Sequence, residues 1–401
     1  MNLAPRKTLQ DMDVAGKRVL VRVDFNVPLG KDNEVKDSTR IKATKPTLDY
    51  LIKHKAKLIL MAHLKRPGGK VVEELRLDKV AKAAEKVLGH KIKKFDVCIG
   101  KEVSDYVHKK MKPGEIVLLE NTRFYPEEKS GDMNYAKQLA ALAEVYINDA
   151  FAASHRSHAS VVGVAKFLPS AAGMLLQQEI EALTKITEGE IEHPFVAIIG
   201  GAKIETKIHI FKNLFKRADS FMVGGALANT FLYAQGIDVG ESAVEEEKME
   251  EAQLIMLEAE KYQEKMILPV DAVVADELKF GAATVDVQIE DIIGDMKIFD
   301  IGRHTIARFK ALIKHAKTVV WNGPMGVYEI PEFAKGSKEI AEAIAEADAY
   351  TVIGGGETLD ILTQFKIDRK KFDHVSTGGG AMIEFLSGKA LPGIACLDKK
   401  E

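Results

Sequence analysis

Phe195–Ile210 reads FVAIIGGAKIETKIHI. A short, β-branched apolar run ends in Gly200-Gly201 and gives way to a helical pattern. Strands of a parallel sheet are covered on both faces, so they read as unbroken apolar runs rather than as alternation. The same order of residue types recurs at Val19–Val23, Leu58–Ala62, Ile116–Leu119, Val145–Ile147, Phe221–Val223, Ile267–Val274, Thr318–Trp321 and Tyr350–Ile353. Between these runs lie amphipathic stretches such as Glu247–Tyr262, a charge-rich, solvated helix pattern. Strand–loop–helix alternation predicts an α/β protein of doubly wound parallel sheets. Ligands of such sheets bind beyond the carboxyl ends of the strands. The residues that follow each run are therefore the candidate site.

Those residues differ between the two halves. Tandem glycines crowd the second half: Gly200-Gly201, Gly224-Gly225, Gly354-Gly355-Gly356 and Gly378-Gly379-Gly380, against Gly68-Gly69 in the first. Glycine loops that open helices cradle phosphates through backbone N–H groups. Three successive glycines cost backbone entropy, so two triplets after strands are better explained by a close ligand than by plain turns. In FVAIIGGAKIETKIHI, Lys203 and Lys207 fall one turn apart on a predicted helix start. They repel each other unless an anion lies between them; the competing reading is two solvated lysines. Glu357 and Thr358 open a helix, suited to a metal and a phosphate or simply to the helix dipole. Trp321–Glu329, WNGPMGVYE, gives a fixed polar loop with Asn322, Pro324 and Gly326, or a structural turn with a buried indole.

The first half instead ends its runs in Asp24 and Asn26, His63 and Arg66, Arg123, and His155 and Arg156, and Arg40 opens the helical pattern TRIKATKPTLDYL. Any one arginine is more often an ion-pair residue than a ligand. Several at strand ends and helix starts form a grip for small oxyanions. The histidines lack metal-site spacing and cysteine partners. A nucleotide on one domain and a small anion on the other is the expected division, with the chemistry between them.

Composition sets bounds. The chain has 401 residues, 46% hydrophobic and 29% charged, with a formal net charge of −2. That length predicts two domains. The near-neutral balance gives no reason to expect nucleic acid as a partner. Cys98 and Cys396 are the only cysteines, which fits a reducing cytoplasm. The start, MNLAPRKTLQ, has no apolar core of a signal peptide, and no run approaches membrane-spanning length; a cytoplasmic protein is expected. Phe167-Leu168-Pro169-Ser170 is the expected break, giving domains 1–169 and 170–386. A long helix from Met174 to Ile186 is the candidate hinge. No Walker loop, no G-x-G-x-x-G after a strand and no G-x-S-x-G elbow occurs.

Taken together, RVDFNVP (22–28), STRI (38–41), HLKRP (63–67), ENTRF (120–124), HRSH (155–158), GGAKIETK (200–207), WNGPMGVYE (321–329), IGGGET (353–358) and STGGGA (376–381) resemble the phosphoglycerate kinase family, in its order and spacing, from Asp13 to Ile394. The resemblance implies a bilobed molecule, two doubly wound domains joined by a hinge helix, with the tail 387–401 returning to the first domain. It implies phosphoryl transfer between 1,3-bisphosphoglycerate and ADP, with Mg²⁺ carried on the nucleotide; a monomer is expected. Asp24, Asn26, Arg40, His63, Arg66, Arg123 and Arg156 would hold the three-carbon substrate. Gly201, Lys203, Lys207, Gly224, Gly225, Asn322, Pro324, Glu329, Gly355, Gly356, Glu357 and Thr358 would hold ATP or ADP, with Glu357 at the metal. Arg40, Lys203, Gly379 and Gly380 would serve the group in flight. The chain departs from the usual pattern at Glu357, where Asp is common, at Lys65 and Ala226, where Gly is, and at Glu205-Thr206, where Ser-Asp is. A dinucleotide-dependent dehydrogenase is disfavoured by the missing G-x-G-x-x-G, and a catalytically silent nucleotide-binding protein by the presence of Arg40 and Lys203.

Overall fold

A computed structural model describes residues 5–30, 32–262 and 265–400; the first four positions of the N-terminal reading lie outside them. The chain divides into two compact units, Met1–Glu181 with Ala390–Glu401, and Ala182–Lys389. The dividing point falls inside the helix Met174–Thr187, beyond the Pro169 break.

In the first unit, β1 (Arg18–Val23), β2 (Lys57–Met61), β3 (Ile92–Lys94), β4 (Ile116–Leu118), β5 (Val145–Asp149) and β6 (Ser170–Ala172) form a six-stranded sheet in the order β3-β4-β2-β1-β5-β6. Every pairing is parallel. Val19, Val21 and Val23 pack with Leu58, Leu60 and the helical residues Ile41, Leu48, Leu51, Val80 and Ala84 on one face. Leu20 and Ile59, of the opposite register, are equally buried. Burial on both faces is why these strands read as continuous apolar runs. Residues 391–400 close the unit: Leu391, Ile394 and Leu397 are buried, and Asn148 Nδ2 donates to the Gly393 carbonyl at 2.8 Å.

In the second unit, β7 (Phe195–Ile199), β8 (Ser220–Val223) and β9 (Lys265–Ile267) join strands that follow later in the chain. Next come β10 (Asp271–Ala275), β11 (Val285–Gln288) and β12 (Lys297–Ile301), then β13 (Thr318–Asn322), β14 (Tyr350–Gly354) and β15 (His374–Ser376). The main sheet runs β15-β14-β13-β7-β8-β9, again with parallel pairings throughout. Val196, Ile198, Val319, Trp321 and Ile353 pack on Ile306, Phe309 and Ile340. Phe211, Phe215, Phe221 and Phe231 form an aromatic cluster. The indole of Trp321 is wholly buried and its Nε1 donates to the Gly323 carbonyl at 2.8 Å, so the tryptophan braces its loop.

Two sequence expectations change. The run Ile267–Val274 is not one parallel strand. It breaks at Pro269 into the end of β9 and the start of β10, which belongs to a three-stranded sheet, β11-β10-β12, paired antiparallel. Lys203 and Lys207 do not share a helix start either, because that helix is Ile208–Leu214. Residues 204–207 form a turn, with Thr206 Oγ1 donating to the Lys203 carbonyl. The lysine pair is thus not held at helical spacing.

Candidate functional site

Each six-stranded sheet changes winding direction beside its first strand, β1 between β2 and β5, and β7 between β13 and β8. Loops on either side of such a point part and leave a crevice at the carboxyl ends of the strands. The candidate residues sit at those ends.

In the first unit Asp24 follows β1 and is buried. Its Oδ2 accepts from Arg40 Nη1 at 2.5 Å, and its Oδ1 accepts from the Asn26 backbone N–H at 3.2 Å. Arg40 lies in the first turn of the helix Thr39–Lys53 and stays one-third exposed. Asn26 Oδ1 accepts from the Lys65 backbone N–H at 2.9 Å, while the Lys65 carbonyl accepts from Arg123 Nη1 at 2.6 Å. Lys65 therefore ties two candidate residues together through its backbone, at a left-handed φ of 54°. That conformation favours glycine.

Beyond it lies a pocket of about 460 Å³ lined by Arg66, Arg123, Lys129, Arg156 and His158, with no carboxylate on its wall. Arg66 and Arg156 form no side-chain ion pair among the described residues. Burial, then the charges of Arg22 and Arg156, lowers the Arg123 pKa to about 10. Burial and the charges of Arg123 and Arg22 hold His158 down at about 4. His63 is pushed well below the ordinary histidine range by burial and then by Arg22, so it is neutral. Cations gathered this closely repel one another, and a bound anion relieves that repulsion. Lys129 and the wholly buried Arg22 escaped the sequence reading. Lys129 sits on the short helix Pro126–Ser130, with no strand-end signal, and Arg22 stands inside β1.

In the second unit Gly201 and Gly225 edge a pocket of about 650 Å³, lined also by Ala226, Pro324, Val327, Glu329 and Glu357 among others. Gly201 N–H donates to the Pro324 carbonyl and Gly225 N–H to that of Met325, both at 2.8 Å. Gly224 is packed so closely that a Cβ would stand 2.6 Å from Met325 Sδ. Gly355, at φ 115°, precedes the helix Gly356–Gln364, and Gly379 and Gly380 open the helix Gly379–Leu386. A Cβ on Gly356 would meet nothing within 4 Å, so neither packing nor backbone strain accounts for a glycine there.

Lys207 is buried, and burial lowers its pKa to about 8 against the opposing charge of Glu357. Lys203 is exposed, with no ion pair among the described residues. Two residues stand behind the loops rather than on the pocket wall. Thr358 is fully buried and its Oγ1 accepts from the Gly323 N–H at 3.0 Å. Asn322 donates to the Gly354 carbonyl at 2.6 Å, and its Oδ1 has no partner among the described residues.

A cationic pocket in one unit and a pocket edged by glycine loops in the other suit a phosphotransferase that acts on a small molecule. The chain belongs to the phosphoglycerate kinase family, whose model matches residues 9–389. It is 50% identical to phosphoglycerate kinase of Moorella thermoacetica over 394 residues, covering 98% of this chain and 99% of that protein. It is 46% identical to that of Finegoldia magna, covering 98% and 100%. The solved phosphoglycerate kinase of Coxiella burnetii superposes with a TM-score of 0.87 at 38% identity, and that of Pyrococcus horikoshii OT3 with 0.84 at 31%, each over 98% of both chains.

Proposed function

We propose that the protein works as its family does, transferring a phosphoryl group between 1,3-bisphosphoglycerate and ADP to give 3-phosphoglycerate and ATP, in glycolysis and its reverse. We assign the three-carbon substrate to the first unit and the nucleotide to the second. The observation that carries the assignment is the pocket of Arg66, Arg123, Lys129 and Arg156 with no carboxylate on its wall; it suits a phosphate ester. ADP formation from ATP that depends on 3-phosphoglycerate, in a coupled assay, tests this, and turnover indifferent to 3-phosphoglycerate would reject it. A monomer working in the cytoplasm fits this reading. No helix among the described residues is long and apolar enough to cross a membrane.

In the direction of ATP use the acceptor is the substrate's own carboxylate, already a nucleophile, so the reaction needs no general base. Catalysis then rests on in-line positioning and charge stabilisation. Arg40, oriented by Asp24, and Lys203 are assigned to the oxygens of the group in flight. The N–H groups opening the helix at Gly379-Gly380 are assigned to the same group. Asp24, Asn26 and His63 align the substrate, while Arg66, Arg123 and Arg156 hold its far phosphate. Gly201, Gly224 and Gly225 with Pro324 shape the nucleotide pocket, Glu329 lines it, and Lys207 with Gly355-Gly356 faces the phosphates. Asn322 and Thr358 fix the loops from behind.

The residues also fit Mg²⁺. Glu357 faces the pocket wall at Gly201, with its Oε2 4.0 Å from where a Cβ there would stand, and it forms no ion pair among the described residues. A carboxylate so placed repels nucleotide phosphates unless a cation intervenes. Glu357 would hold that cation, directly or through water, and Mg²⁺ bound there would supply positive charge that offsets the nucleotide phosphates.

Arg123→Ala and Arg156→Ala are expected to raise the KM for 3-phosphoglycerate by about tenfold or more, with a smaller loss in kcat, because they grip the end that does not react. Titration showing wild-type affinity would remove them from the substrate. Gly356→Ala is expected to leave the melting temperature unchanged or slightly raised, since the new methyl meets no protein atom and helices favour alanine. It should still raise the KM for ATP severalfold. An unchanged KM would mean that no phosphate approaches this backbone.

A further inference from the structure

His63 belongs to a chain of buried hydrogen bonds whose proton positions are forced. Arg22 is fully buried in β1, on the opposite register from Val21 and Val23. Its Nη2 lies 2.9 Å from His63 Nδ1, its Nε donates to Ser160 Oγ at 2.9 Å, and its Nη1 donates to the Val23 carbonyl. A guanidinium has only donors. His63 Nδ1 must therefore accept, which places the ring proton on Nε2. Ser160 Oγ, having accepted from Arg22, donates to Glu128 Oε1 at 2.6 Å. Glu128 is buried and accepts in addition from the Ser160 backbone N–H at 2.9 Å and from Thr122 Oγ1 at 3.3 Å. Its Oε1 also stands 3.7 Å from Nδ1 of His158, a residue of the cationic pocket. His63 Nε2 meets no hydrogen-bond partner among the described residues.

We propose that Glu128 and Ser160 are positioning residues for substrate binding: through Arg22 they lock His63 as a neutral Nε2–H donor offered to the anionic substrate. The proposal rests on the assignment of His63 to that substrate. Chemistry favours the arrangement. A lone imidazole among arginines could present either a lone pair or a proton, and only the proton attracts an anion. Arg22 removes the choice, because a lone pair at Nε2 would force Nδ1–H against the guanidinium. Glu128, reached through Ser160, supplies a buried negative charge that keeps Arg22 turned inward. Without it the guanidinium would be drawn toward water or the ligand. The charges that act most on His63 are those of Arg22, Arg123 and Arg40, then His158, and no carboxylate among the described residues accepts a hydrogen bond from its ring. The low pKa of His63 agrees with this state. Donation should then persist across neutral pH.

The test combines side-chain ¹⁵N NMR of His63 with kinetics on the full chain. In the wild type, Nδ1 is expected to read as unprotonated and Nε2 as protonated, with no titration between pH 6 and 8. A protonated Nδ1, or an imidazolium within that range, overturns the proposal. Glu128→Gln keeps the shape and removes the charge. If Glu128 acted only by its field, its loss would make the pocket more cationic and tighten 3-phosphoglycerate. Positioning predicts the reverse: a rise of about tenfold in KM for 3-phosphoglycerate, an unchanged KM for ATP, kcat within a few-fold, and mixed His63 tautomers. Ser160→Ala, which removes a single hydroxyl, should move both readouts the same way and covers the case in which Glu128→Gln folds poorly. Ser160→Thr, which keeps the hydroxyl, should restore them. Wild-type spectra and KM in Ser160→Ala overturn the relay. His63→Ala is measured beside them. If it leaves the KM for 3-phosphoglycerate unchanged, the substrate assignment of His63 fails and the proposal with it. If it raises that KM while Ser160→Ala changes nothing, the relay alone fails.

Discussion

Lys203→Ala and Arg40→Ala are each expected to lower kcat by two to three decades. Charge spreads over the equatorial oxygens as the phosphoryl group leaves one oxygen for another, and both side chains are assigned to that charge. Removing one preorganised donor from such a site typically costs about 3–4 kcal/mol of transition-state stabilisation. Substrate affinity should change less, because the interaction matures only in flight. The variants should differ in stability. Lys203 is exposed and has no ion pair among the described residues, so its loss should shift stability by no more than about 0.5 kcal/mol. Arg40 holds Asp24, whose side chain is only 2% exposed. Its removal strands a carboxylate and should cost about 1–3 kcal/mol as well. Single-turnover rates at saturating substrates, well below the melting transition, check the kinetic claim. A kcat within tenfold of wild type for either variant would withdraw that residue from the transition state.

Gly225→Ala is expected to destabilise the second unit by about 2–5 kcal/mol and to abolish measurable nucleotide binding. At φ 67° an L-residue is strained by about 1–2 kcal/mol. The methyl would also stand 2.6 Å from the Gly201 carbonyl oxygen, 2.9 Å from its nitrogen and 3.0 Å from the Pro324 carbonyl oxygen. All three are backbone atoms of loops hydrogen-bonded to each other, so none can swing away as a side-chain end would, and overpacking adds about 1–3 kcal/mol. Urea unfolding and ATP titration read the two effects. A denaturation midpoint equal to wild type would show that the loops yield. Gly356→Ala, with free space around the new methyl, is the matched control for stability.

The contrast between those two glycines marks how far the sequence reaches. FVAIIGG announces a buried strand and a close backbone turn, because two-sided burial leaves a continuous apolar run. It cannot say whether a given glycine is required by φ, by a neighbouring loop or by a ligand. Strands as short as β3, β6 and β15 lie at sheet edges and carry too few residues for a period to emerge. Val285–Gln288, exposed along an antiparallel edge, lacks an apolar run altogether. Among the site residues, Arg66, Arg123 and Arg156 were legible as cations after strands. Arg22 was not, since an arginine inside a strand reads as a surface residue until the sheet covers both faces. Lys203 and Lys207 were found by type but misplaced: residues 202–207 lack the capping pattern that would have marked the start at Ile208.

The way the first unit is closed has a consequence for how the protein is made. Asn148, at the end of β5, spends its amide on the carbonyl of Gly393, a residue 245 positions later. Leu391, Ile394 and Leu397, at 0%, 1% and 2% exposure, fill the remaining apolar gap. At about 5–20 residues per second of synthesis, β5 precedes its partner by roughly 10–50 s. Throughout that interval the nascent first unit carries an open seam of apolar side chains, and the Asn148 amide keeps only its bonds to Ser154 and Ala150. The domain made first is thus completed last, and a ribosome halted at Lys389 would hold it unfinished, with its seam exposed to chaperones and proteases.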